Sequence, residues 1–177
     1  MEMIGKKVMV RYFKMEDFPD FYEFSSNPKV GYMAGWKPHT DEDISRRILQ
    51  SKVYSASNFA IVELKSGKVV GSIELNPSHI RERIKAFEIG FAINPDYWGL
   101  GYASEATRLL TRYAFKEQKA LVLEMCHIVD NIESEHVALA CGFTYEGTIK
   151  AYKLMYDKRI VDVKLYRLTL DEWKRLK

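Results

Sequence analysis

The segment from residue 86 to residue 118 constrains the fold most, because it joins a strand, a glycine-rich turn and a helix in one continuous stretch. Residues 86–93 (AFEIGFAI) are typical of a strand. Residues 102–118 have helical spacing, with apolar side chains along one side: Ala106, Leu109, Leu110, Tyr113 and Ala114. Between them lies Gly99-Leu100-Gly101, where glycines allow positive φ and unpaired amides at a helix N-terminus attract anions. The stretch therefore predicts a phosphate-binding turn.

The rest of the chain predicts an α+β fold with a mixed, mostly antiparallel sheet of about seven strands flanked by helices. Alternation over residues 7–13 indicates a strand, and residues 58–64 and 68–76 form a hairpin around Ser66-Gly67. Residues 15–28 predict a short helix closed by Asn27-Pro28, and Thr40 is expected to cap a second helix. The C-terminal third predicts a buried strand, a helix stopped by Gly142 and a long hairpin turning near Asp157-Lys158. With no linker or repeat in the sequence, residues 1–177 are expected to form one domain.

Charge and composition exclude several classes of protein. The 27 basic and 24 acidic residues leave a net charge of +3, which is too small to indicate a nucleic-acid binder. No apolar run approaches 18 residues, and the N-terminus lacks a signal-peptide pattern, so no membrane association and a cytoplasmic location are expected. Cys126 and Cys141 form no CxxC pair, and the histidines lack metal-ligand spacing, so no metal is expected.

Glycines alone leave three interpretations of the turn open. It could be an ordinary strand-to-helix connection without a ligand. A Walker loop is excluded because Gly-Lys-Ser/Thr is missing. A dinucleotide-binding fold needs an acidic residue at the end of the next strand, whereas Glu124 lies inside its strand.

The segment NPDYWGLGYASEATRLLTRYAF resembles the acetyl-CoA motif of the GNAT superfamily of N-acetyltransferases, in the subgroup similar to ribosomal-protein N-terminal (alanine/serine) acetyltransferases. GWKPHTDED, FEIGFAINP and Asn131 followed by Gly142-Phe143 support the resemblance, which covers nearly the whole chain. Trp98 is usual in this subgroup, although the wider family commonly has Gln or Arg there. Ala138 occupies the position where many relatives place a tyrosine acid, so that acid is excluded here.

The resemblance implies a set of site residues. Backbone groups of Phe91, Ala92 and Ile93 would bind the pantetheine arm, with Asn131 as a further partner. The pyrophosphate would be wrapped by the amides of one loop: Trp98, Gly99, Leu100, Gly101, Tyr102, Ala103 and Ser104. The acceptor side would be lined by Tyr32, Trp36 and His39.

The implied reaction is direct acetyl transfer from acetyl-CoA to a primary amine, which must be neutral to attack. A lysine-type amine is neutral in roughly one molecule in 2,500 at pH 7, and an α-amine in roughly one in ten. Glu88 is the expected general base, with Glu74 as the alternate. Ser134 either donates a hydrogen bond to the departing thiolate or caps the following helix. A backbone N–H near Ala92 or Ile93 is the expected oxyanion donor.

The acceptor stays open at this stage: a protein N-terminus, a polyamine or another small amine, bound by a monomer or a homodimer. Two other functions are the alternatives. One is a non-catalytic coenzyme A sensor, and the other is a dinucleotide-binding oxidoreductase.

Overall fold

The computed structural model of the chain describes residues 1–176. Its strands are β1 (Glu2–Ile4), β2 (Val8–Tyr12), β3 (Asn58–Glu63), β4 (Val69–Pro77), β5 (Ala86–Ile93), β6 (Val122–Ile128), β7 (Thr144–Leu154) and β8 (Ile160–Thr169). Its α-helices are α1 (Phe18–Ser25), α2 (Pro28–Ala34), α3 (Glu42–Val53), α4 (Tyr102–Lys116), α5 (Ile132–Ala140) and α6 (Leu170–Arg175). Short 3-10 helices cover Met15–Asp17 and Pro95–Tyr97.

Eight strands form one sheet in the order β1-β2-β3-β4-β5-β6-β8-β7. The pairs β1–β2, β2–β3, β3–β4, β6–β8 and β7–β8 are antiparallel, whereas β5 and β6 are parallel and joined through α4. The predicted α+β class with a mixed, mostly antiparallel sheet is confirmed. The strand number is eight rather than about seven, because β1 pairs its three residues with β2 and is too short to give a period of its own.

Two helix boundaries differ from the sequence prediction. Asn27-Pro28 does not only close a helix: the Asn27 side chain accepts a hydrogen bond from Lys29 N, at 3.0 Å, and Pro28 begins α2. An Asn N-cap followed by Pro at the first helical position starts a helix as readily as it ends one. Asp41, not Thr40, caps α3, since its carboxylate accepts from Ile44 N at 2.9 Å.

Two compact units make up the described chain. The first contains residues 1–74 and 91–109, and the second contains residues 75–90 and the chain from Leu110 onward. The core of the first unit is built from side chains of α1, α3 and the strands beside them: Phe13, Phe18, Phe21, Phe24, Val30, Leu49, Ala60, Val62, Val69 and Ala92. In the second unit, Leu123, Met125, Tyr166 and Phe115 are buried, and the Phe115 ring lies 5.1 Å from that of Trp173.

None of the helices in residues 1–176 has the length and apolarity needed to cross a bilayer.

Candidate active site

The glycine turn of the first unit has the backbone conformation that its sequence predicts. Gly99 and Gly101 have φ values of 76° and 79°, in the left-handed region. A Cβ atom at Gly99 would meet nothing within 4 Å, so glycine is required there by conformation and not by space. The next residue after the turn, Tyr102, begins the 15-residue helix α4.

The amides of the turn are available to an anion. Within residues 1–176, no carbonyl accepts a hydrogen bond from the amides of Gly99, Leu100 or Gly101. The amide of Trp98 differs from them, because it donates to Pro95 O at 3.1 Å. The Trp98 indole also donates to Ile93 O, at 2.8 Å, which fixes the turn on the end of β5. Unpaired amides at the N-terminus of a long helix form a site for phosphate oxygens.

Three contacts hold this turn and the start of α4 against residues 6–7 and β3. The Lys7 ammonium donates to Leu100 O at 2.9 Å. The Glu105 carboxylate, in the first turn of α4, accepts from the amides of Lys6 and Lys7 at 2.5 and 2.9 Å. The Tyr102 hydroxyl donates to the Glu63 carboxylate, and this bond raises the pKa of Tyr102 to about 12. The turn is therefore anchored from both sides.

The last residues of β5 keep one edge without a strand partner. The pairing of β5 with β6 covers Ala86–Glu88 and goes no further among residues 1–176. Ala92 and Ile93 are buried and Phe91 is half-buried. On the other edge, β4 approaches so closely that a Cβ at Gly71 would lie 2.2 Å from Ala92 O. Gly71 is a requirement that the sequence analysis missed, since a glycine inside a strand only hints at close backbone approach.

The predicted acceptor residues lie in and after α2. The Trp36 indole N–H is buried and has no acceptor in the described part of the chain, so it can donate to a ligand. His39 Nδ1 lies 2.9 Å from Ser45 Oγ. Burial and the nearby Lys52 ammonium lower the pKa of His39, so its ring is neutral at pH 7. Tyr32 is half-buried on α2.

In the second unit, one face of the sheet collects titratable side chains. Glu88 on β5 is in register with Glu124 on β6, and Cys126 follows two residues later on the same face. Burial and the carboxylates of Glu88 and Glu124 raise the pKa of the Cys126 thiol to about 12. Burial, Cys126 and the same carboxylates raise the pKa of Tyr152 on β7. Glu88, the predicted base, therefore lies on a face with several ionisable neighbours.

Glu124 is fully buried, and the loop between β4 and β5 binds its carboxylate. The sequence analysis did not predict these contacts. Glu124 Oε2 accepts from Ser78 Oγ at 2.6 Å, and its Oε1 lies 2.5 Å from Arg81 Nε as an ion pair. Arg81 also donates to Glu146 on β7. An acidic residue inside the apolar run LVLEMCHIV was the available signal, because buried carboxylates require partners.

Asn131 and Ser134 meet at the start of α5. The Asn131 side chain accepts from Ser134 N at 3.1 Å, so Asn131 is the N-cap. The capping alternative for Ser134 is wrong, because Ser134 lies at the third position inside the helix. Asn131 is buried and Ser134 half-buried.

No group of three or more His, Cys, Asp or Glu residues placed to hold a metal ion occurs within residues 1–176. Neither cysteine forms a disulfide.

Comparison with known proteins decides what this site is. The acetyltransferase (GNAT) domain family matches residues 7–144 of the chain. The chain belongs to the GNAT acetyltransferase family. It is an N-acetyltransferase that uses acetyl-CoA, and the oxidoreductase interpretation of the glycine turn is therefore wrong.

Three similar proteins illustrate the family's range. An uncharacterized N-acetyltransferase of Bacillus subtilis is 28% identical over 151 residues, 85% of this chain and 86% of that protein. A ribosomal-protein-serine acetyltransferase of Escherichia coli is 32% identical over 108 residues, 60% of this chain and 58% of that protein. A spermidine N-acetyltransferase of Vibrio cholerae, solved in complex with CoA and spermine, has a TM-score of 0.79 at 17% identity, covering 96% of this chain and 99% of that one.

The glycine turn of this GNAT enzyme fits the cofactor. Two left-handed glycines, three amides without acceptors and a 15-residue helix provide the donors that a pyrophosphate requires.

Proposed function

We propose that this enzyme transfers the acetyl group directly to the α-amine of a protein N-terminus or of a similar small primary amine. The observation that carries the proposal is the unpaired amide cluster of Gly99, Leu100 and Gly101 at the start of α4. It supports a pyrophosphate site at one end of β5, the strand on which the candidate base Glu88 also lies.

The chain would hold acetyl-CoA through backbone groups more than through side chains. The amides from Gly99 to Ser104 bind the pyrophosphate, while Trp98 keeps the turn attached to β5. The unpaired edge of Phe91, Ala92 and Ile93 would hold the pantetheine arm, with Asn131 as a side-chain partner. When bound, acetyl-CoA supplies the activated acetyl group as a thioester.

Glu88 is the proposed general base, which takes a proton from the incoming ammonium directly or through one water, so that the neutral amine can attack the thioester carbonyl. General bases contribute about 10²–10⁴-fold to rate. Its half-buried position keeps it reachable by solvent and substrate, whereas Glu124 beside it is fully buried and engaged. Glu74, the alternate, is half-buried on β4 opposite Asn58.

Ser134 is the proposed hydrogen-bond donor to the departing thiolate. Since Asn131 already caps α5, the Ser134 hydroxyl is not needed for capping and can donate a hydrogen bond. A thiol leaves readily because its pKa is about 8.5, so one donor is sufficient. A backbone N–H near Ala92 or Ile93 stabilises the charge on the acyl oxygen.

The charged side chains of α1 and the acceptor-side residues favour one class of acceptor amine. Polyamine recognition needs carboxylates that can accept cations, but three carboxylates at and within α1 are engaged. Asp17 pairs with Arg11 at 2.7 Å, Asp20 accepts from Val69 N at 2.8 Å, and Glu23 pairs with Lys68 at 2.7 Å. On the acceptor side, Trp36 has no ionisable group, and His39 is neutral at pH 7 because burial and the Lys52 ammonium lower its pKa. An uncharged aromatic lining suits a peptide N-terminus, and one relative is named as a ribosomal-protein-serine acetyltransferase.

Two measurements test the proposal in sequence. Thermal-shift assays with acetyl-CoA, CoA and NADH come first, and stabilisation by the first two alone is expected. Thiol release is then measured with peptides of varied N-terminus, spermidine, lysine and an aminoglycoside, and peptides are expected to be the best acceptors. Binding of acetyl-CoA without turnover of any amine supports the sensor alternative. Preference for spermidine overturns the acceptor assignment but keeps the reaction.

A further inference from the structure

Glu88 and Glu124 are neighbours on adjacent parallel strands. Residues in register across two strands point to the same face and lie about 5 Å apart. Both carboxylates also act electrostatically on Cys126 and on Tyr152, so the four groups lie close enough to influence one another. Carboxylates at neighbouring positions on one face disfavour each other's ionisation unless something cancels one charge.

Arg81 supplies that cancelling charge from the loop between β4 and β5. Its Nε lies 2.5 Å from Glu124 Oε1, and Ser78 Oγ donates to the other oxygen at 2.6 Å. The loop is preorganised for this, because Ser78 Oγ accepts from the amides of Ile80 and Arg81 at 3.1 and 3.0 Å. The far side of the guanidinium donates to Glu146. Arg81 is thus fixed from three directions.

We propose that Arg81 is a positioning residue for Glu88: it neutralises the buried Glu124 carboxylate, so that Glu88 alone exchanges the proton of the incoming amine. The inference rests on the proposed role of Glu88 as base. Without Arg81, the proton taken from the amine would be shared between two like-charged neighbours. With Arg81 in place, the Glu124 carboxylate is paired with a cation, and its charge acts less on Glu88.

The other titratable groups around Glu88 do not replace Arg81. The thiol of Cys126 and the phenol of Tyr152 stay neutral at pH 7, because burial and the two carboxylates raise the pKa of each. Lys153, on β7, acts on Cys126 and is the weakest of the influences on that thiol. Glu146 adds negative charge, which Arg81 and Arg167 share.

The test follows the carboxyl carbons of ¹³C-labelled Glu by NMR as a function of pH, and kcat/KM as a function of pH on the same proteins. The Glu88 and Glu124 signals are assigned by their loss in Glu88→Gln and Glu124→Gln. The variants are Arg81→Met, Arg81→Lys, Glu124→Gln and the double variant Arg81→Met with Glu124→Gln. Glu124→Gln keeps the shape of the side chain and an oxygen that can accept from Ser78.

Each variant has a signed expectation. Glu124→Gln removes a carboxylate beside Glu88 and leaves the Arg81 cation paired with Glu146 alone, so the Glu88 titration midpoint and the acid limb of kcat/KM fall by up to about one pH unit. Arg81→Met leaves two carboxylates without a cation, so the upper midpoint of the pair rises by about one unit or more. Arg81→Lys and the double variant stay close to wild type, because each keeps the local charge balanced. Unchanged Glu midpoints in both Glu124→Gln and Arg81→Met overturn the inference.

Arg81→Met alone can fail to fold, because it leaves a buried charge unpaired. In that case Glu124→Gln and the double variant carry the test. The NMR midpoints report on Arg81 whether or not Glu88 is the base. If the midpoints move as expected while Glu88→Gln keeps full activity, the proposed base is wrong and the electrostatic role of Arg81 stands. If Glu88→Gln is inactive and the midpoints do not move, Glu88 is the base and the electrostatic role of Arg81 is wrong.

Discussion

The side chain of Asn131 accepts a hydrogen bond from the backbone amide of Ser134, at 3.1 Å, and so begins α5. We therefore expect Asn131→Ala to lose about 1 kcal/mol of unfolding free energy. Asn131→Asp keeps an acceptor for the cap but loses the amide N–H donor, so it should fold like wild type and bind acetyl-CoA more weakly. Urea unfolding and calorimetric titration separate the two effects. Equal acetyl-CoA affinity in Asn131→Asp and wild type would exclude the N–H donor as a cofactor contact.

The turn glycines offer a matched pair of substitutions. Gly99 and Gly67 have φ values of 76° and 75°, and a Cβ atom at either meets nothing within 4 Å. Alanine at each position should cost about 1 kcal/mol of unfolding free energy, because the backbone strain is the same. Only Gly99→Ala should weaken acetyl-CoA binding, by about tenfold or more, because only Gly99 lies in the turn proposed to hold the pyrophosphate, where a Cβ atom would hinder close approach of the phosphate oxygens. Gly101→Val should weaken binding further.

Binding by Gly99→Ala and Gly67→Ala is measured by calorimetry at matched temperature. Equal dissociation constants for the two variants would show that the turn does not hold the cofactor.

Much of this site could be predicted from local sequence. The positive φ of Gly99 and Gly101 and the helix after them follow from the glycines and the apolar spacing of residues 102–118. The partners of Glu124 could not be predicted, because Ser78 and Arg81 are more than 40 residues away and only strand pairing brings them together. The requirement for glycine at position 71 could not be predicted either, because it arises from the Ala92 carbonyl of another strand, which leaves no room for a Cβ atom.

The role of Glu88 as base can be tested against Glu74, the alternate candidate. We expect Glu88→Gln to lower kcat by about 10²–10⁴-fold and Glu74→Gln to leave it within about threefold of wild type. The loss should be larger with a lysine-type amine than with an α-amine, because far less of the former is neutral at pH 7. Rates at pH 7 with both acceptors give the ratio. A larger loss in Glu74→Gln would move the base to β4.

Direct transfer predicts that no acetyl-enzyme forms at Cys126. Its pKa of about 12 leaves roughly one thiolate in 10,000 at pH 8, against roughly one in four for an ordinary thiol. Iodoacetamide should therefore not modify Cys126 in the folded enzyme at pH 8, whereas both cysteines should react in urea. Cys126→Ala should keep turnover. A mass increase of one acetyl group on Cys126 after mixing with acetyl-CoA would contradict direct transfer.

The contacts of Glu172 in α6 predict how the stability of the fold depends on pH. The Glu172 carboxylate accepts from Arg167 at 2.5 Å and from the Thr169 amide and hydroxyl at 2.8 Å, and these contacts lower its pKa to about 2. A depressed pKa stabilises the fold above the unfolded value of about 4.3, and the contribution is lost as pH falls through the folded value. The Glu172 side chain is 33% exposed, so solvent limits the contribution to about 1 kcal/mol.

Glu172→Gln tests this, because glutamine preserves the capping box and removes only the charge. At pH 7 it should be about 1 kcal/mol less stable than wild type in urea, and the difference should close between pH 4.5 and pH 2. Asp171→Asn is the matched control one residue away, since its carboxylate is 78% exposed and pairs with the exposed Lys174, at 3.2 Å. It should change stability by less than about 0.5 kcal/mol at every pH. A Glu172→Gln deficit that stays constant down to pH 2 would mean that packing, not charge, holds this helix.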